Sequence, residues 1–408
     1  MRNILTPPNI VWSSFFVSTI GERLTFASLL ILASRLNGPE IGATAIMVIY
    51  TLTFVLIAPF AGKIIDTYKH RKKDILIFSD LARALLVVAY VQVLFYGHHM
   101  VSNLAFYLSI IAVVAISGIA RPGLWAFIPE IVPSSGVGKL NIRISVSGGI
   151  AMAIGTAAGG WLLMKISFGP IFAIDSLTYL VSALMLLTLA IPSSGSAGQE
   201  VRDETAPAFD LAFLRSVLKV RTLKEALLLA CIINILIGFL NSYLVMSVER
   251  IFFLPQSYIA YGYSFWAIGG VASFWLYPMF AKLVRNNLLK GMYFLVLFAI
   301  LASFPAVYLN NYYLFYSIIV VLGAVANISS AMVNTVCMAD CDPTMRGRFA
   351  SLLSLIVRIS MLGGLLMAPF AVSRQYIFAI YAFLAIGLLC FSCLKSVAWT
   401  QDYEEFAG

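Results

Sequence analysis

The chain has 408 residues, 61% of them hydrophobic and only 11% charged, with a mean hydropathy of +0.94. That balance excludes a soluble globular domain and identifies a polytopic membrane protein. The formal net charge of +9 would suggest nucleic acid in a soluble protein; here it is a topological signal, because cytoplasmic loops accumulate Lys and Arg, and no nucleic-acid partner is expected.

Twelve apolar runs, each long enough for the roughly 20-residue crossing of a bilayer, occupy 11–36, 42–65, 75–96, 103–131, 139–165, 168–192, 222–247, 255–283, 288–309, 312–340, 346–372 and 374–398. The first is long and lacks a small-residue cleavage site, so it is expected to stay as a span. Between the sixth and seventh runs, 193–221 contains SSGSAGQE and mixed charges, the composition of a flexible linker. The chain thus divides into 1–192 and 222–408, two six-helix bundles. They resemble copies: IFAI at 171–174 recurs at 377–380, and PEIVP at 129–133 corresponds to ADCDP at 339–343. Lys and Arg concentrate in one set of alternating loops, which places both termini in the cytoplasm.

Charged groups inside spans cost at least ~2.5–3.5 kcal/mol each and are functional candidates by default. In the first span Glu22 and Arg23 sit in STIGERL; neighbours on a helix point to different faces, so they need not neutralise one another. Glu22 is a candidate proton carrier or a member of a structural ion pair. The turn at 62–73, GKIIDTYKHRKK, combines Gly62, Asp66, Arg71 and Lys72 between two spans. A glycine permits close helix approach, and an aspartate at a helix end can pair with basic residues or a neighbouring helix N-terminus, so this turn reads as a conformational latch. Asp80 and Arg83 in the third span have the spacing of an intrahelical pair. Arg121 in the fourth span lacks an intrahelical acid and either finds a carboxylate across the bundle or binds an anion.

In the fifth span GTAAGG places Gly155 and Gly159, with Gly160 beside them, where small residues allow close helix crossing. Asp175 in the sixth span is a second candidate proton carrier. Asn234 and Asn241 share a face of the seventh span, as do Asn327, Ser330 and Asn334 in the tenth, and Trp266 is deep in the eighth. With Arg121 and with Arg358, midway along the eleventh span, these residues are the candidate substrate contacts. Arg346 and Arg348 open that eleventh span. The five cysteines lie in or beside apolar runs, and the three histidines (His70, His98, His99) lie in loops. No metal site, cofactor or catalytic triad is expected, and therefore no enzyme.

The loop pattern Gly62, Asp66, Arg71, Lys72 resembles the signature of the major facilitator superfamily. PEIVP, the fifth-span glycines and DPTMRGRFASLLSL entering the eleventh span extend the resemblance over most of the chain, toward its macrolide-efflux and siderophore-exporter branch. The resemblance implies an all-α integral membrane fold of two pseudo-symmetric six-helix bundles with a substrate site near the midplane. It also implies that Asp66 holds the cytoplasmic side closed against the start of the eleventh helix, where Arg346 and Arg348 stand. Arg121 resembles the fourth-span arginine of the superfamily's antiporters. Gly155–Gly160 resembles a fifth-helix exporter motif, with Thr156 where that motif usually has proline. The function so implied is a monomeric, proton-coupled secondary transporter in a bacterial cytoplasmic (inner) membrane, exporting a small amphipathic, anionic or zwitterionic molecule. Alternatives are a siderophore importer, a lysophospholipid flippase, or a receptor or scaffold that does not transport.

Overall fold

A computed structural model describes residues 6–38, 41–68, 71–96, 99–189, 217–283, 311–340 and 346–367, with isolated positions at 215 and between 294 and 301. The twelfth expected span and nearly all of the ninth and of the 193–221 linker lie outside the described residues. The described helices are α1 (Pro7–Asn37), α2 (Gly42–Thr67), α3 (Lys72–Tyr96), α4 (His99–Ile131), α5 (Ser134–Leu163), α6 (Phe168–Leu187), α7 (Arg221–Met246), α8 (Ser257–Leu283), α9 (Tyr312–Asp340) and α10 (Arg346–Met367). No strand occurs among the described residues, as expected of helices that must satisfy their own backbone in a bilayer.

Local chemistry sets several boundaries. Pro7 and Pro8 open α1, where their missing N–H groups cost nothing, and Gly38 closes it with φ of 80°. Pro122 and Pro129 lie within α4 and deprive the carbonyls of Gly118 and Trp125 of their helical donors. After α7 the backbone widens into a π-helical turn, Ser247–Ile251, followed by Phe253 in the left-handed region at φ 51°. Among the described residues six stretches are long and apolar enough to cross a membrane: Pro7–Asn37, Leu104–Ile131, Arg143–Leu163, Phe168–Leu187, Thr222–Ile251 and Tyr312–Val333. α3 starts on Lys72, Lys73 and Asp74 and carries Asp80 and Arg83 within its apolar run.

The chain forms two compact units, Met1–Ala208 with Leu254–Ala267, and Phe209–Phe253 with Ile268–Gly408. In the first, α1 packs mainly on α5 and α6, α3 on α4 and α6, and α2 on α4. In the second, α7 packs on α9 and α10.

Glycines set how closely α1 is held. A Cβ at Gly155 would lie 2.6 Å from the Ile20 carbonyl oxygen and 2.8 Å from Arg23 Cβ, and one at Gly159 would lie 2.9 Å from the Leu24 carbonyl oxygen. On the opposite side Gly21 of α1 is covered by Thr178 and Asp175 of α6. Gly160 meets α8 instead, 2.6 Å from Ala260 Cβ, and beside it the Thr156 and Ser264 hydroxyls are hydrogen-bonded at 2.7 Å. The reading of Gly62 as a point of close helix approach needs correction. A Cβ there would meet no described atom within 4 Å, because this last part of α2 is exposed.

These contacts separate two substitutions. Gly155→Ala is expected to destabilise the protein by about 1–3 kcal/mol through overpacking against α1. Gly62→Ala should be neutral, or gain roughly 0.5–1 kcal/mol from helix propensity. Thermal unfolding in detergent micelles measures both.

Candidate functional site

Helical periodicity brings the site together. Ser18, Glu22 and Thr25 follow one face of α1; Asp175, Tyr179 and Ser182 follow one face of α6 at i, i+4 and i+7; Ser117 and Arg121 share a face of α4 at i, i+4. α3 adds Asp80 and Arg83, and α2 adds Tyr50. The arrangement is possible because Gly21 lets α6 lie against α1 with the Asp175 carboxylate over the glycine.

Glu22 is the hub. Its Oε1 accepts a hydrogen bond from Arg121 Nη2 at 2.7 Å and lies 3.5 Å from Arg23 Nη2, while Oε2 is 4.0 Å from Arg83 Nη1. Arg83 is also paired with Asp80, whose second oxygen accepts a hydrogen bond from Ser182 Oγ at 2.6 Å. The Arg83 guanidinium donates further to the Ser79 carbonyl and to Ser117 Oγ, and lies 4.3 Å above the Tyr179 ring. Such a group is fixed on every side, which is how a buried guanidinium is tolerated. Asp175 differs. It is 1% exposed, accepts from Thr178 Oγ1 at 3.5 Å, and makes no ion pair among the described residues.

Two cavities flank this network, and Glu22 lines both. The larger is bordered by Ser18, Asp80, Arg83, Arg121 and Ser182, with Leu124 and Leu186 supplying apolar wall. The smaller, with room for about one water, is bordered by Thr25, Tyr50, Ser117, Asp175 and Tyr179. Along α1, Ser14, Ser18 and Thr19 donate to carbonyls one turn back, so their oxygens face the larger cavity as acceptors. Arg121 supplies the complementary donors: 43% of its side chain is exposed, and its guanidinium lies 5.7 Å from the Phe54 ring.

Two expectations about charge change accordingly. Glu22 and Arg23 do interact despite adjacency, because the long arginine side chain turns back to its neighbour. Of the two alternatives for Arg121, the structure shows a carboxylate across the bundle.

Asn234, Asn241 and Asn327 each donate to the carbonyl four residues earlier on their own helix, at 2.8, 2.7 and 2.9 Å, and Asn327 also faces Gly270 of α8. Arg358 and Trp266 are half-buried. The side chains of Asp66, Asn334, Arg346 and Arg348 lie outside the described residues. In the basic turn, Arg71 is exposed, whereas Lys72 Nζ bonds Glu130 Oε1 at 2.7 Å and the Ala126 carbonyl at 3.2 Å. Lys73 Nζ caps the C-terminal end of α6 through the carbonyls of Leu187 and Leu189. Sequence reasoning missed Glu130, Ser117, Tyr179 and Ser182. The last two were signalled by their helical spacing from Asp175.

Comparison with known proteins follows from this architecture. Residues 11–365 match the sequence model of the Major Facilitator Superfamily. Over 220 residues the chain is 22% identical to YfiS, an uncharacterized MFS-type transporter of Bacillus subtilis (strain 168), a match covering 53% of this chain and 50% of that protein. The chain thus spans about half the length of the curated relative it matches. A bacterial homologue of the human lysosomal transporter Spinster, inward-facing and unoccupied, superposes with a TM-score of 0.68 at 16% identity, covering 89% of this chain and 81% of that one. A bacterial homologue of the iron transporter ferroportin, inward-facing, gives 0.67 at 15% identity with 94% and 98% covered. The nucleoside transporter NupG gives 0.65 at 15% identity, again with 94% and 98% covered. Identities this low carry the fold and say nothing of cargo.

The hub makes stability asymmetric between the two carboxylates. Glu22→Gln leaves buried guanidinium groups without their shared anion and is expected to cost about 3–5 kcal/mol. Asp175→Asn keeps shape and loses no ion pair among the described residues, so its unfolding temperature should stay near wild type. Thermal unfolding of both variants in one detergent makes the comparison.

Proposed function

This chain belongs to the Major Facilitator Superfamily, and from that premise we propose that it is a proton-coupled secondary transporter. It works by alternating access in a bacterial cytoplasmic membrane and exports a small amphipathic molecule, such as a drug or siderophore, bearing an anionic or zwitterionic group. The observation that carries this reading is the contrast between Glu22, held by three guanidinium groups, and Asp175, more deeply buried and without an ion pair among the described residues. A carboxylate out of water is tolerated only when it is neutralised. Asp175 is therefore the group that loads and releases the proton, and Glu22 is the switch that senses it.

Arg121 couples the switch to cargo. Its guanidinium has five N–H donors, and its exposure beside the larger cavity leaves part of that set for an anionic group on the substrate. A carboxylate or similar anion arriving there competes with Glu22 for the same fork. The Glu22 oxygen so released becomes the acceptor for the proton carried by Asp175. Proton and substrate thus act on one ion pair from its two sides, which is the differential contact that coupling requires. The hydroxyl oxygens of Ser14, Ser18 and Thr19 suit a cargo that also carries donors, and Leu124 and Leu186 suit its apolar part.

Proteoliposomes containing a pH-sensitive dye, challenged with siderophores, macrolides, organic dyes and lysolipids under an imposed proton gradient, test the reading. Wild type should show substrate-dependent proton flux for one of these classes. Asp175→Asn should abolish that flux while retaining substrate binding, and Arg121→Gln should weaken binding of an anionic cargo roughly 10- to 100-fold, the loss of one charged hydrogen bond. Substrate movement without proton flux would overturn the coupling, and movement of lysolipids alone would replace export of a soluble compound by lipid transport.

A further inference from the structure

On α1, Ser14, Ser18, Thr19 and Ser28 each donate a hydrogen bond to a carbonyl one turn back, at distances of 2.6–3.2 Å. Thr25 lies among them and does not. It is 4% exposed, and among the described residues its hydroxyl meets no partner at hydrogen-bonding geometry. The hydroxyl faces the Asp175 carboxylate and lines the smaller cavity together with Glu22, Tyr50, Ser117 and Tyr179. A threonine in a helix has the preceding carbonyl within easy reach. Forgoing that bond in a buried place is unfavourable unless something else satisfies the group.

We propose that the cavity between Glu22 and Asp175 holds ordered water, and that Thr25 positions it as the link through which a proton passes between the two carboxylates. The inference rests on the reading of Asp175 as the proton-carrying group. The space takes a single water, and a buried water needs two to four polar partners, which this lining supplies. Among the described residues no three His, Cys, Asp or Glu side chains are grouped to hold a metal ion, which favours water over a cation. The charged and titratable groups around the path come from every neighbouring helix: Glu22 and Arg23 on α1, Tyr50 on α2, Asp80 and Arg83 on α3, Arg121 on α4 and Tyr179 on α6.

The step balances simply. The Asp175 carboxyl O–H breaks and its proton goes to a water oxygen, while another proton of that water goes to a Glu22 oxygen. One proton moves, and the water is regenerated. Thr25 has one donor and two lone pairs to hold the water in the orientation that a carboxyl-to-carboxylate transfer through one water requires.

Thr25→Val removes the hydroxyl and keeps the shape; Thr25→Ser keeps the hydroxyl. Infrared difference spectra of the purified protein give the band of the protonated Asp175 carboxyl, assigned by its loss in Asp175→Asn, and proteoliposomes give the rate of substrate-coupled proton flux. Thr25→Val should shift the band and slow the flux roughly tenfold, the effect of one lost hydrogen bond, with substrate affinity unchanged; Thr25→Ser should restore both. An unshifted band with normal flux in Thr25→Val overturns the proposal and leaves the coupling reading standing. A band that moves on addition of sodium chloride at constant ionic strength overturns it in favour of a bound cation. Wild type showing no coupled flux overturns the coupling reading and the proton path with it, while the band in Thr25→Val still decides whether Thr25 holds water beside Asp175.

Discussion

A carboxylate surrounded by guanidinium groups inside a membrane bundle is the constraint on which the first unit depends. Glu22 draws Arg121 from α4, Arg83 from α3 and its own neighbour Arg23 to one point. None of these charges is tolerable alone in hydrocarbon, and a partly satisfied set would be worse than an apolar core. The network therefore fixes the rotation of α1, α3 and α4 about their axes, something that lipid-like packing of Leu and Ile cannot specify. Arg83 extends it to α6 through Asp80, Ser182 and the Tyr179 ring. Specificity of structure and readiness to respond come from the same contacts, since a group shared by three partners is also one whose loss is felt by all three.

The glycines serve that network. Gly155 and Gly159 bring α5 onto the back of α1, and Gly21 admits α6 on its other side. A bundle in lipid gains no hydrophobic drive from burying one helix against another, so close backbone contact is the main attraction available. Here it also sets the depth at which Asp175 sits: with no side chain at position 21, the aspartate packs over the helix backbone and makes no ion pair among the described residues. Two carboxylates in one polar cluster thereby acquire different surroundings.

The fold was largely legible in the sequence. Hydropathy marks the spans because length and composition alone decide whether a helix can cross a bilayer, and α1 to α8 start and stop close to the expected positions. The site was legible by residue and not by pairing. Glu22, Arg121 and Asp175 stood out as charges in apolar runs, yet the partner of Arg121 lies 99 positions away, and nothing in a linear pattern gives the helix rotation that joins them. Adjacency misled for Glu22 and Arg23, where side-chain length outweighed helical geometry. Asn234, Asn241 and Asn327, read as polar stripes, each give one bond to their own helix backbone. Gly62 suggested a tight contact because glycine in a signature loop invites that reading; the surroundings at that position are open.

α8 is one uninterrupted helix whose beginning, through Ala267, clusters with the first unit while the rest clusters with the second. Gly160 and Thr156 of α5 are fitted to Ala260 and Ser264 there. The two sequence halves are therefore not interchangeable modules. A first half produced by itself would lack the α8 segment that covers Gly160 and meets the Thr156 hydroxyl, a segment synthesised some hundred residues later.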